Sequence, residues 1–137
     1  DYLPQGSRFA DVGTGGGLPA IPCLLVRGDL RAVLIESKEK KARFLELAAN
    51  ALGIAARTTV TNKQFQEADP ANAETITCRA LDKFTEKLPG LLRWRKRRQM
   101  LLFGGPSLRE ALTGNKVVFI EKLMPMSEQR YLFVVNR

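Results

Sequence analysis

Asp11-Val12-Gly13-Thr14-Gly15-Gly16-Gly17-Leu18-Pro19 is the stretch on which the reading of this chain turns. A short apolar segment, Phe9-Ala10, leads into it, and Ile21-Pro22-Cys23-Leu24-Leu25-Val26 follows it. That order reads as a strand, a glycine-rich turn and the start of a helix. Glycines let a backbone take positive φ and pass close to a ligand with no Cβ in the way. A helix N-terminus facing the turn suits an anionic or hydrogen-bonding ligand. The stretch predicts a site for a nucleotide-like cofactor, with Asp11, Gly13, Thr14, Gly15, Gly17 and Leu18 as candidate contacts.

Two kinds of cofactor use such turns. The dinucleotide fingerprint G-x-G-x-x-G needs Gly or Ala in its third place for close helix packing. Gly13 and Gly15 fit the first two places, and Leu18 falls on the third. Read instead as D-x-G-x-G-x-G from Asp11 to Gly17, the turn resembles motif I of the S-adenosylmethionine-dependent methyltransferases. Downstream, Arg31-Ala32-Val33-Leu34-Ile35 is a β-like run ending in Glu36-Ser37. An acid roughly 20 positions after the glycines accepts hydrogen bonds from ribose hydroxyls, and Glu36 stands at that spacing. This feature serves either cofactor.

With 137 residues, the chain is expected to be one domain with a single core. Its hydrophobic content of 45% and charged content of 26% are those of an ordinary globular protein. No apolar run reaches the roughly 18 residues of a membrane span, and nothing resembles a signal peptide. The cytoplasm is the expected compartment. Cys23 and Cys78 show no metal-ligand spacing and read as small buried hydrophobes. There is no histidine, which removes imidazole bases, His-based triads and His metal sites.

The net charge of +8 favours a polyanionic partner. Arg93-Trp94-Arg95-Lys96-Arg97-Arg98 concentrates five cations in six residues. Such density suits phosphates, and Trp94 or an arginine plane can stack on an unpaired base. The competing reading is a solvated connection with Trp94 anchored in the core.

The remaining pattern alternates strands and helices. Ser37 is the expected N-cap of a helix to about Leu52, with Phe44, Leu45, Ala48 and Leu52 at helical spacing and Gly53 as its stop. Thr58–Thr61, Thr75–Cys78 and Met100–Phe103 read as strands. Residues 66–74 read as a loop with room for a short helix. A helical segment from Asp82 to Leu92 is disturbed by Pro89-Gly90, and Ser107-Leu108-Arg109-Glu110 reads as a capping box. Val117–Leu123 and Tyr131–Val135 form a final pair, antiparallel because its connection is short. The fold class is α/β: a doubly wound, Rossmann-like sheet, mostly parallel, with an antiparallel C-terminal strand. Ligands bind such sheets beyond the carboxyl ends of the strands. Gly13, Glu36, Asn62-Lys63, Arg79 and Gly104 should therefore cluster.

Three passages resemble one family, the glucose-inhibited division protein B family of 16S ribosomal RNA guanine-N7 methyltransferases. They are D-V-G-T-G-G-G-L-P-A-I-P from Asp11 to Pro22, L-I-E-S-K-E-K-K-A-R-F-L from Leu34 to Leu45, and Cys78-Arg79-Ala80. Arg130 to Val135 also fits the family's last strand. The resemblance implies a monomeric, S-adenosylmethionine-binding domain over residues 1–137, with S-adenosylhomocysteine as product and 16S ribosomal RNA or the small subunit as partner. It implies cofactor contacts from Gly13, Gly15, Gly17 and Glu36, flanked by Ser37, and an active-site role for Arg79. The basic run Arg93, Arg95, Lys96, Arg97 and Arg98 then becomes the expected RNA contact.

Three departures accompany the likeness. Where the family has an Arg-Ala-Glu-like step beside the adenine, this chain has Asn62-Lys63-Gln64-Phe65. There the backbone of Lys63 and Gln64 is the expected contact, with Phe65 as cover. Where the family has Lys-Gly after the fifth strand, this chain has Phe103-Gly104-Gly105. The family's N-terminal helical region would precede Asp1.

Guanine N7 is a lone pair carrying no proton, so its methylation needs no general base and is compatible with a histidine-free site. In A-form RNA that atom is poorly accessible, so the target should be an unpaired guanine. Two other functions stay open on the residues alone: an RNA-binding module that has lost catalysis, and a nicotinamide-dependent oxidoreductase, against which Leu18 counts.

Overall fold

In chain order the elements are β1 (Arg8–Val12), α1 (Ala20–Val26), β2 (Arg31–Ile35), α2 (Glu39–Ala51), β3 (Thr58–Thr61), β4 (Thr75–Arg79), α3 (Phe84–Trp94), β5 (Gln99–Gly104), α4 (Pro106–Gly114), β6 (Ile120–Leu123) and β7 (Tyr131–Val135). The computed structural model describes residues 2–13, 17, 20–70, 72–79, 84–125 and 127–136. Thr14, Gly15, Leu18, Ala80 and Asp82, singled out above, lie outside the described residues. No described helix is long and apolar enough to cross a membrane.

The strands form one sheet in the order β3-β2-β1-β4-β5-β7-β6. β1 lies between β2 and β4 and is parallel to both. Parallel pairing continues outward to β3 and β5. β7 inserts between β5 and β6, antiparallel to each, as the short connection before it requires. The expected class, a doubly wound sheet with an antiparallel C-terminal strand, is what the chain adopts.

Side chains alternate across a strand, so each strand feeds two cores. Val12, Val33, Ile76, Cys78, Met100 and Leu102 face one core beneath Leu88 and Leu91 of α3 and Leu108 and Leu112 of α4. Phe9, Ala32 and Leu34 face the other beneath Leu24 of α1 and Leu45 and Ala49 of α2. Strands covered on both faces read as nearly continuous apolar runs, as β2 does. Asp11 is the exception in β1. It is 1% exposed, and its Oδ1 accepts a hydrogen bond from the Thr77 hydroxyl on the neighbouring strand. A buried carboxylate needs such a partner.

Several local expectations change. Lys38, not Ser37, is the N-cap of α2, and it makes no side-chain cap bond. The acid that serves this turn is Glu36, whose Oε2 accepts the Lys38 backbone N–H at 2.8 Å. Phe44 and Leu52 point to solvent. Ala42, Leu45 and Ala49 are the buried positions, because the sheet lies against that side of α2. Gly53 does end the helix, with φ +74°.

Ser107 does not cap α4. Gly105 is the N-cap and Pro106 follows it inside the helix, where a missing N–H costs nothing. Pro89 lies within α3 without ending it. The residue whose carbonyl loses its usual i+4 donor is Thr85, which is exposed. The sixth strand begins at Ile120 rather than Val117, because Lys116 takes φ +58° and the Val117 N–H bonds to the Leu112 carbonyl. Cys78 is buried, and Cys23 is only half-buried.

α1 is seven residues long and has no basic residue in its last turn. Arg57, from the short helical turn before β3, supplies one. Its guanidinium donates to the carbonyls of Leu24 (2.9 Å), Leu30 (2.8 Å) and Arg27 (3.3 Å). A cation on carbonyls that end a helix satisfies both their hydrogen bonding and the helix dipole. Gly17, with φ +90°, starts the chain toward α1, and its carbonyl accepts the Ile21 N–H at 2.7 Å. A Cβ at Gly17 would stand 2.5 Å from Ile21 Cδ1.

Replacing Arg57 with Ala should lower unfolding free energy by about 1.5–3 kcal/mol, the range for hydrogen bonds to a charged group. Urea denaturation measures this, and an unchanged midpoint would refute the clamp. Gly17→Ala should be destabilising as well, through both the Ile21 clash and the backbone conformation. A third test uses pH. Asp29 is held well below the usual carboxylate range, first by the Arg27 guanidinium and then by the Gly6 N–H. Its folded pKa is depressed, so its contribution is present above about pH 4 and is lost as pH falls below that. Asp29→Asn should therefore flatten the acid limb of a thermal-stability profile.

Candidate functional site

The carboxyl ends of β1, β2 and β3 are stitched together by main-chain and amide bonds. The Gly13 N–H donates to the Ile35 carbonyl at 2.9 Å, and the Glu36 N–H donates to Thr61 at 3.0 Å. The Asn62 side-chain amide donates to the carbonyls of Glu36 and Ser37 at 2.9 and 3.1 Å. Beside this seam opens a cavity of about 110 Å3. Val12, Ile35, Phe65 and Leu91 give it apolar walls, while Gly13, Ser37, Lys63 and Gln64 form its strand-end rim. Gly13 takes φ +65°, and a Cβ built there would meet nothing within 4 Å, so the backbone faces open space.

Of the expected cofactor residues, the structure brings Gly13, Ser37, Lys63 and Gln64 onto one cavity, with Arg79 beside them. Glu36 sits between the lining residues Ile35 and Ser37, 5% exposed. Asp11 is inside the sheet behind the cavity, bonded to Thr77, and not on its wall. Gly17 lies at the base of α1 against Ile21 and Leu45. Gly104 ends β5 but does not line the cavity.

Phe65 is braced from behind. The Trp94 ring meets it edge-on, with centroids 5.6 Å apart, and the indole N–H donates to the Ala68 carbonyl at 3.0 Å. Trp94 is thus anchored in the core, where it braces a cavity wall. The cations around it divide. Arg95 donates to the carbonyls of Arg98 and Asn136, and Arg98 donates to that of Ala73. Arg93, Lys96 and Arg97 are exposed. All five lie toward the amino end of β5, whereas Arg79 and the cavity lie at the carboxyl end of β4.

The structure adds residues that the sequence reading passed over. Phe84, Lys87 and Leu91 of α3 face the cavity at i, i+3 and i+7. That helical spacing was legible, but Pro89 drew the reading toward a disturbed helix. Lys87, Lys63 and Arg79 place three cations around the opening. Cys78 also lines it. Burial pushes its thiol well above the usual range, the Asp11 carboxylate adds to this, and the Lys87 ammonium works against it. A thiol so held stays protonated and is a poor nucleophile.

The sequence profile of GidB, described as rRNA small subunit methyltransferase G, matches residues 1–131. The ribosomal RNA small subunit methyltransferase G of Sorangium cellulosum is 36% identical over 92 residues, which cover 65% of this chain and 38% of that protein. That of Yersinia enterocolitica is 54% identical over 50 residues, 36% of this chain and 24% of that protein. The chain spans about two-fifths of the length of the first of its curated relatives. Among solved structures, the mitomycin 7-O-methyltransferase MmcR superposes over 100% of this chain and 50% of its own, with TM-score 0.82 and 14% identity. M. capricolum TrmK, in complex with S-adenosyl-homocysteine, superposes over 98% of this chain and 64% of its own, with TM-score 0.75 and 13% identity. These likenesses show a shared fold, and the profile match goes further: the chain belongs to the GidB family, rRNA small subunit methyltransferase G.

Proposed function

We propose that this chain is the cofactor-binding and catalytic part of a 16S ribosomal RNA methyltransferase, acting in the cytoplasm as a monomer on N7 of an unpaired guanine. The observation that carries the reading is the cavity at the carboxyl ends of the strands. It has apolar walls, the backbone of Gly13 faces open space at its rim, and three cations line it.

The cavity fits S-adenosylmethionine by the chemistry of its lining. Val12, Ile35 and Phe65 suit a flat base, and the backbone at Lys63 and Gln64 suits its polar edge. Glu36, fixed at the end of β2 by the Lys38 N–H, is the acid for ribose hydroxyls. The Gly13 turn admits the part of the cofactor nearest the methyl group. When bound, the cofactor supplies a sulfonium-activated methyl.

The chain's own task is then to bind and orient RNA. Lys63, Arg79 and Lys87 attract phosphate to the opening, and Arg79, at the very end of β4, is the residue closest to a catalytic role. A sulfonium gains nothing from three nearby cations, so their placement answers to an anionic substrate. N7 carries no proton, and no side chain has to accept one. The protonated Cys78 thiol lies outside the chemistry. Holding the two reactants in line can account for roughly 7–11 kcal/mol of barrier lowering.

Four measurements test this. The unaltered chain should bind S-adenosylhomocysteine in calorimetric titration and not NADH, and it should incorporate methyl groups into 16S RNA or small subunits. Phe65→Ala should weaken S-adenosylhomocysteine binding by about 1–3 kcal/mol, as loss of an aromatic base platform does. Arg79→Ala should leave that binding in place and cut methyl transfer by about 100-fold, the scale of a misplaced reactant. Transfer at the normal rate in Arg79→Ala would remove this residue from the site.

A further inference from the structure

The end of the sheet opposite the cavity is also basic, and its cations are arranged in a way the cofactor site does not explain. Arg31 is exposed at the amino end of β2. Ala73 and Glu74, before β4, and Lys96, Arg97 and Arg98, before β5, line a surface groove of about 510 Å3. Glu74 contributes one carboxylate to it against three cations. Arg98 and Arg95 turn inward onto backbone carbonyls and hold the loop in shape. That leaves Arg93, Lys96 and Arg97 presented to solvent.

Two lysines at this end have an unusual backbone. Lys96 has φ +55° and Lys116 has φ +58°, and among the described residues they are the non-glycine residues with positive φ. Each follows a helix. The Lys96 N–H bonds to the Arg93 carbonyl, and the Lys116 N–H bonds to that of Thr113. Glycine is the least strained residue at such a position. α3 and α4 each follow a parallel strand, pack on the same face of the sheet and run away from the cavity end. Both lysines therefore stand at the far end, and a lysine at either place costs backbone strain that glycine would avoid.

A five-residue strand spans about 17 Å, so a nucleotide seated at the cavity cannot reach this patch. A structured RNA, with charged phosphates along its whole length, can touch both ends at once. We propose that Lys96, Arg97 and Lys116, with Arg93 at the end of α3, form a second contact for the phosphate backbone of RNA at a distance from the methylated base. The inference rests on the reading of this chain as an RNA methyltransferase and assigns the substrate a second point of grip.

The test is the triple variant Lys96→Gly, Arg97→Gln, Lys116→Gly. Glycine suits both left-handed positions, so the thermal midpoint should hold or rise. Binding to naked 16S ribosomal RNA, followed against KCl concentration, should weaken by at least about tenfold, and the slope of log K against log salt should shrink by about 2 to 3. S-adenosylhomocysteine affinity should not change. An unchanged RNA affinity and slope, in a variant that melts normally, would overturn the second contact and leave the proposed activity untouched. Conversely, a weakened slope in a chain whose unaltered form transfers no methyl group would support this contact while removing the activity.

Discussion

Everything at the candidate site depends on β1 being held in register between two parallel neighbours. Val12 pairs with Ile35 on one side and Cys78 on the other. Because the three strands run the same way, their carboxyl ends finish together, and the chain must leave each of them through a loop on one edge. The main-chain bonds Gly13 to Ile35 and Glu36 to Thr61 continue the ladder past the last paired residues. They fix the loops that carry Gly13, Glu36 and Lys63. The buried Asp11–Thr77 bond ties β1 to β4 from within and helps set where Arg79 emerges. A slip of one residue in either pairing would turn the side chains of the slipped strand to the opposite face.

Buried aromatic packing then gives the cavity its firmness. Phe65 does not stand alone as a wall. Trp94 meets its ring edge-on, and the Ala68 carbonyl holds the indole. The tryptophan inside the most basic stretch of the chain thus supports the cavity from behind. Only its neighbours Arg93, Lys96 and Arg97 are left to face solvent. One short segment builds a wall on one side and a charged surface on the other.

The division of charge between the two ends of the sheet follows from helix direction. α3 begins beside the cavity, where Lys87 is one turn from its start, and ends in the arginine-rich loop. A single helix therefore carries cations to both ends. The cations at the cavity and those in the arginine-rich loop thus stand at opposite ends of the sheet. For a compact ligand the distant surface is irrelevant. For an RNA it lengthens the track over which phosphates are neutralised.

Local sequence determined the architecture here. Gly13 and Gly17 each take positive φ, β2 is a continuous apolar run closed by Glu36, and the two last strands are too closely linked to be parallel. These signals are short-range, because turn chemistry and side-chain period act within a few residues. What needed the tertiary structure was anything decided by a neighbour remote in sequence. The spacing of Phe44, Leu45, Ala48 and Leu52 fits a helix, but only the sheet beneath α2 selects Leu45 over Phe44 as buried. Lys87 reads as an ordinary surface lysine until α3 is laid over β4. A charge run states how many cations there are. Which of them point inward at carbonyls, and at which end of the sheet the rest are displayed, is set by packing between elements that the linear order keeps apart.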